Sequence, residues 1–272
     1  MTRLKQDDVV NIATTLEAYN ADLEQITGCS LRGIAANAVG KGVGEDNAQK
    51  PKVAMIPMTC GQGIIEGFAE SVVSIINYLG FNAAITKSHD AGGVAEAVQN
   101  GSEILFMADD DRFVAVNVRT GKISDNGDAT GKGYVAALAY MCDGLEGKKV
   151  LVIGAGPVGT GAALALIRFG AEVSIYDIDL SASQRLSGEL IKQGHAAKIE
   201  TDLDSALGRH CILVDACPTG EFISLRHVQK DTVIAAPGIP LGVDEAGVAR
   251  LSNRLLHDPL QIGVATMIFD VW

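Results

Sequence analysis

The stretch Val150-Leu151-Val152-Ile153-Gly154-Ala155-Gly156-Pro157-Val158-Gly159 constrains the fold more than any other part of the chain. Four apolar residues read as a buried strand, and Val158 to Phe169 reads as a helix with an apolar Ala and Leu face. Between them the glycines follow the G-x-G-x-x-G pattern. Gly154 permits a sharp turn, Gly156 lets a pyrophosphate approach the backbone, and Gly159 lets helix and strand pack closely. Pro157 fits because the first helical turn needs no N–H from it. The unpaired N–H groups there, together with the helix dipole, favour a phosphate.

A second strand, Glu172 to Tyr176, ends at Asp177. This acid follows the first glycine at close to the spacing of about 20 residues expected of a carboxylate that binds the adenine ribose hydroxyls. Ile178 and Asp179 come next, and the first arginine is Arg185. A 2′-phosphate would meet two carboxylates, so NAD is favoured over NADP. The plain alternative is a helix packed on a sheet with no cofactor. The coincidence of strand, glycines, helix, strand and acid argues for a dinucleotide.

The chain has 272 residues, enough for one or two domains with full cores. Its net charge of −11 argues against nucleic acid and anionic membranes. The five cysteines (Cys29, Cys60, Cys142, Cys211 and Cys217) are scattered, without C-x-x-C, and read as free thiols in a reducing compartment. The histidines are scattered too, and His210-Cys211 lacks the spacing of a metal site, so no metal is expected. The first residues hold no apolar signal core, and the longest apolar run, Tyr134 to Cys142, is about half of a membrane span. A cytoplasmic protein is expected.

The expected fold class is α/β with two domains. Residues 1–143 form a substrate and catalytic domain, and residues 144–272 form a Rossmann dinucleotide-binding domain. Residues 6–20 place Val9, Val10, Ile12, Ala13 and Leu16 on one side of a helix, either packed on the core or acting as a lid. Residues 41–51 are polar and Gly-rich, a loop. Lys52 to Met58 is a strand, Thr59 to Gly63 a turn, Ile64 to Leu79 a helix and Phe81 to Ile85 a strand. Asp90 caps a helix running to about Asn100, and Glu103 to Met107 is a third strand ending in Ala108-Asp109-Asp110-Asp111. Connections of this kind are right-handed between parallel strands. If the first and third strands are neighbours, the Thr59–Gly63 and Ala108–Asp111 loops sit side by side at the sheet edge where open α/β sheets bind ligands.

Phe113 to Val118 and Gly121 to Ile123 read as strands, and Gly131 to Asp143 as a helix joining the domains. Strands at Cys211–Asp215 and Thr232–Ala236 end in Ala216-Cys217-Pro218 and Pro237-Gly238-Ile239-Pro240, loops expected to border the nicotinamide half of the cofactor. Pro259 to Trp272 reads as a helix that packs back on the first domain.

The most unusual feature of the first domain is the acidic triplet at a strand end. One of these carboxylates can anchor an ammonium group or take its proton; the alternative is a solvated acidic turn. Cys60 lies just before a helix start, which lowers a thiol pKa, but no histidine is near it in sequence, and a small polar wall residue is the simpler reading. Gln62 either bonds a substrate amide or is a plain turn residue. Phe68 is core or pocket wall.

At Met58-Thr-Cys-Gly-Gln-Gly-Ile-Ile-Glu-Gly-Phe68 and Met107-Ala-Asp-Asp-Asp-Arg-Phe-Val-Ala-Val-Asn117 the sequence resembles the PylD family, the NAD-dependent dehydrogenases of pyrrolysine biosynthesis. The resemblance continues through the glycine turn at 154–159, Ala236-Pro-Gly-Ile-Pro240 and Pro259 to Met267, and so covers nearly the whole chain. It implies oxidation of the terminal amine-bearing carbon of lysine-Nε-3-methyl-D-ornithine, a cationic amino-acid substrate, then loss of ammonia and ring closure to pyrrolysine. It places substrate contacts at Cys60, Gln62, Phe68, Asp109 and Asp110, with the N-terminal helix, beginning near Leu4, closing over the substrate. Asp109 is the expected anchor for a substrate amine and the one catalytic candidate. The expected cofactor contacts are Gly154, Ala155, Gly156, Pro157, Val158, Gly159, Asp177, Cys217, Pro218 and Pro237.

Two rivals remain. A shikimate dehydrogenase-like NAD(P) oxidoreductase expects a Lys-Asp pair around a hydroxyl, whereas Lys87 lies on a different strand end from Asp109. A non-catalytic NAD-sensing module would need no acidic second crevice. The oligomeric state is not fixed; a homodimer is compatible with the sequence.

Overall fold

The computed structural model describes residues 4–42 and 50–272, so most of the Gly-rich stretch at 41–51 lies outside the described residues. The chain begins with a short helix, α1 (Gln6–Val9), followed by α2 (Ile12–Thr27) and α3 (Leu31–Ala38). The amphipathic run expected at 6–20 is thus split at Val10 and Asn11, and its second part runs on to Thr27. Ile12, Leu16, Leu23 and Thr27 share its buried face, and Gly28 ends it with a left-handed φ of 71°. The sequence reading missed α3, whose N-terminus is capped by Ser30 accepting the Gly33 N–H.

The first sheet follows: β1 (Lys52–Ile56), α4 (Phe68–Tyr78), β2 (Asn82–Ile85), α5 (Asp90–Gln99), β3 (Ile104–Ala108), β4 (Phe113–Asn117) and β5 (Ile123–Asp125). Its order is β2-β1-β3-β4-β5. The first three strands are parallel, and β4 and β5 turn back antiparallel. Strand β1 lies between β2 and β3 and is buried from Val53 to Ile56, so it is apolar almost throughout, whereas β4 alternates between buried and half-buried positions. The helix expected from Ile64 begins only at Phe68, because Gly67 turns the chain with a φ of 81°. The loop after β1 is therefore longer than the expected five-residue turn.

Helix α6 (Asn126–Met141) leads to the second sheet: β6 (Lys149–Ile153), α7 (Pro157–Arg168), β7 (Glu172–Tyr176), α8 (Leu180–Lys192), β8 (Lys198–Ile199), α9 (Leu203–Arg209), β9 (Ile212–Asp215), β10 (Val233–Ala235), α10 (Glu245–Leu251), β11 (Leu255–Leu256) and α11 (Gln261–Val271). The order β11-β10-β9-β6-β7-β8 is parallel throughout and reverses direction at β6, as in a Rossmann sheet.

Helix α6 starts five residues before the expected Gly131, and its early glycines lie at close crossings. A Cβ on Gly131 would stand 2.4 Å from Ala162 N and Val158 O of α7, and one on Gly133 would stand 2.4 Å from Ile262 of α11. Every residue of α11 except Asp270 is buried. A helix apolar on all sides belongs inside a protein, and α11 lies against α3, α4, α6, β4 and β5. Phe269 and Trp272 meet Phe81 edge-on at 6.0 and 5.0 Å. The Asn117 side chain donates to Val271 O, and Lys41 donates to the carbonyls of Phe269 and Trp272. Among the described residues no helix is long and apolar enough to cross a membrane.

Candidate active site

A cleft of about 960 Å³ lies where the C-terminal ends of β1 and β3 face those of β6, β9 and β10. On its second-domain side Gly154 has a φ of 97°, and a Cβ there would stand 2.9 Å from Ala216 O. A Cβ on Gly159 would stand 1.8 Å from Gly154 O, so the helix could not approach the strand with any larger residue. Gly156 has no heavy atom within 4 Å of its Cβ position and opens onto the cleft with Ala155, Pro157 and Val158. Close packing at two glycines and open space at the middle one is the shape of a pyrophosphate cradle.

Asp177 does not line the cleft. It stands behind the turn, where its Oδ2 accepts the Ala155 N–H at 2.7 Å and its Oδ1 accepts the Asp179 N–H at 2.8 Å. The Ser181 hydroxyl donates to Asp179 and holds its carboxyl below the usual range. Arg185 is tied to Ser181 and Asp179. Cys217, Pro218 and Pro237 lie on the two cleft loops after β9 and β10.

On the first-domain side, β1 pairs directly with β3, and their loops lie side by side. The Gln62 N–H donates to Asp110 Oδ2 at 2.7 Å, and a Cβ on Gly61 would stand 2.0 Å from the same oxygen. The loop after β1 is also anchored to α5. Asp90 accepts both the backbone N–H and the hydroxyl of Thr59, whose side-chain bond, the larger influence, lowers the Asp90 pKa. Asp109 Oδ1 accepts the N–H groups of Asp111 and Arg112 at 2.9 and 2.7 Å, so the acidic triplet forms a side-chain-braced turn.

Leu4, Cys60, Phe68, Asp109 and Asp110 all line the cleft. Gln62 does not; it contributes its backbone N–H to Asp110. Phe68 stacks edge-on against Phe113 at 5.3 Å, which makes it both core and wall. Leu4 precedes α1, which is held against the loop before α4. The Ser71 hydroxyl donates to Val9 O, and Gln6 donates to Glu66.

The structure adds residues that the sequence reading did not single out. Asp125 caps α6 by accepting the Gly127 N–H, and Arg112 donates to it from Nε and Nη2 at 3.0 and 2.9 Å. Asn126, Asp128, Thr130 and Tyr134, all on α6, enter the lining, as does Asp258 at the floor. The polar run Ser124-Asp-Asn-Gly-Asp128 carried the signal of a capped helix start. Asp258 is 4% exposed; its Oδ2 accepts from the hydroxyls of Tyr19 and Tyr134, both at 3.0 Å, and its Oδ1 accepts the N–H groups of Leu260 and Ile262. Burial raises the pKa of Asp258 and of both tyrosines.

Among the described residues that line the cleft, Arg112 is the one base, against the carboxylates of Asp109, Asp110, Asp111, Asp125, Asp128, Glu189 and Asp258. The excess of carboxylates gives the cleft a negative potential.

The fold and site define a two-domain protein with a shikimate dehydrogenase-like architecture, an amino-terminal domain with a mixed sheet joined to a dinucleotide-binding Rossmann domain. Shikimate dehydrogenase from Aquifex aeolicus has the same fold, with a TM-score of 0.57 and 17% identity over 83% of this chain and 93% of that one. Residues 8–124 match the family model of the pyrrolysine biosynthesis protein PylD, N-terminal domain, and residues 129–240 match that of the alanine dehydrogenase/PNT C-terminal domain. The chain is 32% identical to pyrrolysine synthase of Methanosarcina barkeri, over 100% of this chain and 98% of that protein. It is 31% identical to pyrrolysine synthase of Methanosarcina acetivorans over the whole of both. The chain belongs to the PylD family of pyrrolysine biosynthesis.

Proposed function

We propose that the protein oxidises the terminal amine-bearing carbon of lysine-Nε-3-methyl-D-ornithine, with NAD⁺ as oxidant, and releases pyrrolysine. The observation that carries this reading is the row of cleft carboxylates opposite an open glycine turn. A substrate with several ammonium groups matches that charge, and the relatives named pyrrolysine synthase match the chain end to end. No lysine lines the cleft among the described residues, which disfavours a Lys-Asp pair acting on a hydroxyl.

The bound nicotinamide supplies the hydride acceptor. Backbone N–H groups of Gly156 and Val158 would hold the pyrophosphate, with Pro157 completing the helix start and Ala155 lining the turn while its own N–H stays on Asp177. Asp177 would take the adenine ribose hydroxyls, and Asp179 beside it, with Arg185 already engaged, disfavours a 2′-phosphate. On the substrate side, the Oδ1 of Asp109 is committed to its own turn, and its Oδ2 has no partner among the described residues. That oxygen would bind the reacting ammonium and accept its proton, freeing the nitrogen lone pair to assist departure of hydride. The resulting imine exchanges its nitrogen for the ornithyl α-amine, either directly or through the aldehyde, and loses ammonia as the ring closes. Asp110, Cys60 and the Gln62 loop would shape the pocket, Phe68 would wall it, and Leu4 would cover it.

The test is to add lysine-Nε-3-methyl-D-ornithine to protein and NAD⁺ and to follow NADH absorbance and product mass together. NADH growth with a product lighter by ammonia and two hydrogens is expected. Absence of NADH, with NAD⁺ binding intact, refutes the substrate assignment.

A further inference from the structure

The Asp215 carboxylate ends β9 and has no exposed surface. The proposed reaction gives it no task. A carboxylate without contact to water is costly unless its oxygens are hydrogen-bonded, and here both are. Oδ1 accepts the Cys217 N–H at 3.3 Å and the Cys217 thiol at 3.1 Å, and Oδ2 accepts the Gly242 N–H at 3.1 Å. The backbone adds a second stitch, with the Gly238 N–H donating to Asp215 O at 2.8 Å. The fit leaves no room for adjustment. A Cβ on Gly242 would stand 2.2 Å from Asp215 Oδ2, and one on Gly238 would stand 2.3 Å from Cys217 O.

Two loops are therefore locked together by one buried side chain: the one after β9, with Ala216, Cys217 and Pro218, and the one after β10, with Pro237, Gly238 and Ile239. All six residues line the cleft on the side away from Asp177. We propose that Asp215 is a positioning residue that holds these two loops in the shape that receives the nicotinamide half of the dinucleotide, without touching the cofactor itself. The inference rests on the reading of the chain as an NAD-dependent dehydrogenase. It assigns the glycine turn and Asp177 to the adenine and pyrophosphate half, and the Asp215 strut to the other half.

The two halves can be measured separately. ADP-ribose carries everything in NAD⁺ except the nicotinamide ring, so its affinity omits the ring and the difference between the two ligands reads the ring's seat. Asp215→Asn keeps the volume but sets an NH₂ donor against one of the N–H groups that the carboxylate now accepts. The expected result, by calorimetry on the purified chain without substrate, is NAD⁺ affinity weakened about five- to tenfold, with ADP-ribose affinity unchanged within about twofold. Equal weakening of both ligands, or no weakening of NAD⁺ in a folded variant, overturns the inference. If Asp215→Asn does not fold, Gly242→Ala presses on the same carboxylate oxygen from the opposite loop and should give the same nicotinamide-selective loss; affinities for NAD⁺ and ADP-ribose that move together there overturn it equally. Failure of the wild-type chain to bind NAD⁺ would sink the cofactor reading itself. Wild-type binding without the selective loss would sink only the role of Asp215.

Discussion

Gly131 tests the packing that joins α6 to the dinucleotide helix. A Cβ there would stand 2.4 Å from Ala162 N, 2.4 Å from Val158 O and 2.8 Å from Gly161 C. All three are backbone atoms of α7, so no side chain can swing away. Ordinary carbon contacts begin at about 3.5 Å, so Gly131→Ala forces the two helices apart by about 1 Å. Overpacking of this kind costs about 1–3 kcal/mol, and the rigid obstacle points to the upper half of that range. Replacing glycine inside a helix gives back at most about 1 kcal/mol. The net loss is about 1–2 kcal/mol, which for a chain of this size lowers Tm by about 2–8 °C. The internal control is Gly188 of α8, which has nothing within 4 Å of its Cβ position; Gly188→Ala should raise Tm. Calorimetric unfolding of both variants decides the matter. Because Val158 belongs to the turn proposed to hold the cofactor, Gly131→Ala should also weaken NAD⁺ binding, while Gly188→Ala should not. A Gly131→Ala protein with unchanged or higher Tm would refute the close-crossing argument.

Asp109→Asn keeps the oxygen that braces the acidic turn but removes the charge and the proton acceptor; kcat/KM for the ammonium substrate should fall about 100-fold or more while Tm holds, and an unchanged kcat/KM in steady-state assays would remove Asp109 from the site. Asp177→Ala should weaken ADP-ribose and NAD⁺ alike, in contrast to the Asp215 variant, and side-by-side titration checks it. Burial raises the Asp215 pKa to about 6, from a usual value near 3.8. A raised carboxyl pKa means that the folded state holds the proton more tightly. Its contribution is therefore fully present below about pH 4 and is lost as pH rises through about 6, by roughly 2–4 kcal/mol. Urea unfolding of wild type against Asp215→Asn across pH 4–7 should show that difference, and parallel curves would refute it. Tyr134→Phe removes a hydroxyl that lies 2.7 Å from both Asp258 O and Asp258 N and 3.0 Å from Oδ2; it should destabilise the chain by about 1–3 kcal/mol, read from the same urea curves.

The sequence by itself determined the units whose physics is local. Strand β7 falls at Glu172–Tyr176 as expected, and the turn at 154–159 follows from glycine conformation and helix polarity, properties of adjacent residues. The neighbouring loops after β1 and β3 were legible because right-handed crossovers leave few ways to arrange three short parallel strands. The acidic triplet could be picked out as a cluster at a strand end, though not as a turn braced by its own first carboxylate.

Tertiary structure decided the rest. The beginning of α6 was obscured because Gly127, Gly131 and Gly133 weaken the helical signal; they make room for the Pro157 side chain, the backbone of α7 and the Ile262 and Thr266 side chains of α11, which local sequence does not reveal. Helix α4 starts late because Gly67 adopts a left-handed φ that turns the chain out of the loop after β1. Asp258 was missed because Tyr19 and Tyr134, which bind its carboxylate, come from distant parts of the chain. Asp215 reads in sequence as the last residue of an apolar strand. Only the folded chain brings Gly242 to its oxygen, because a buried charge is defined by the donors that surround it, and here folding delivers one of those donors from another loop.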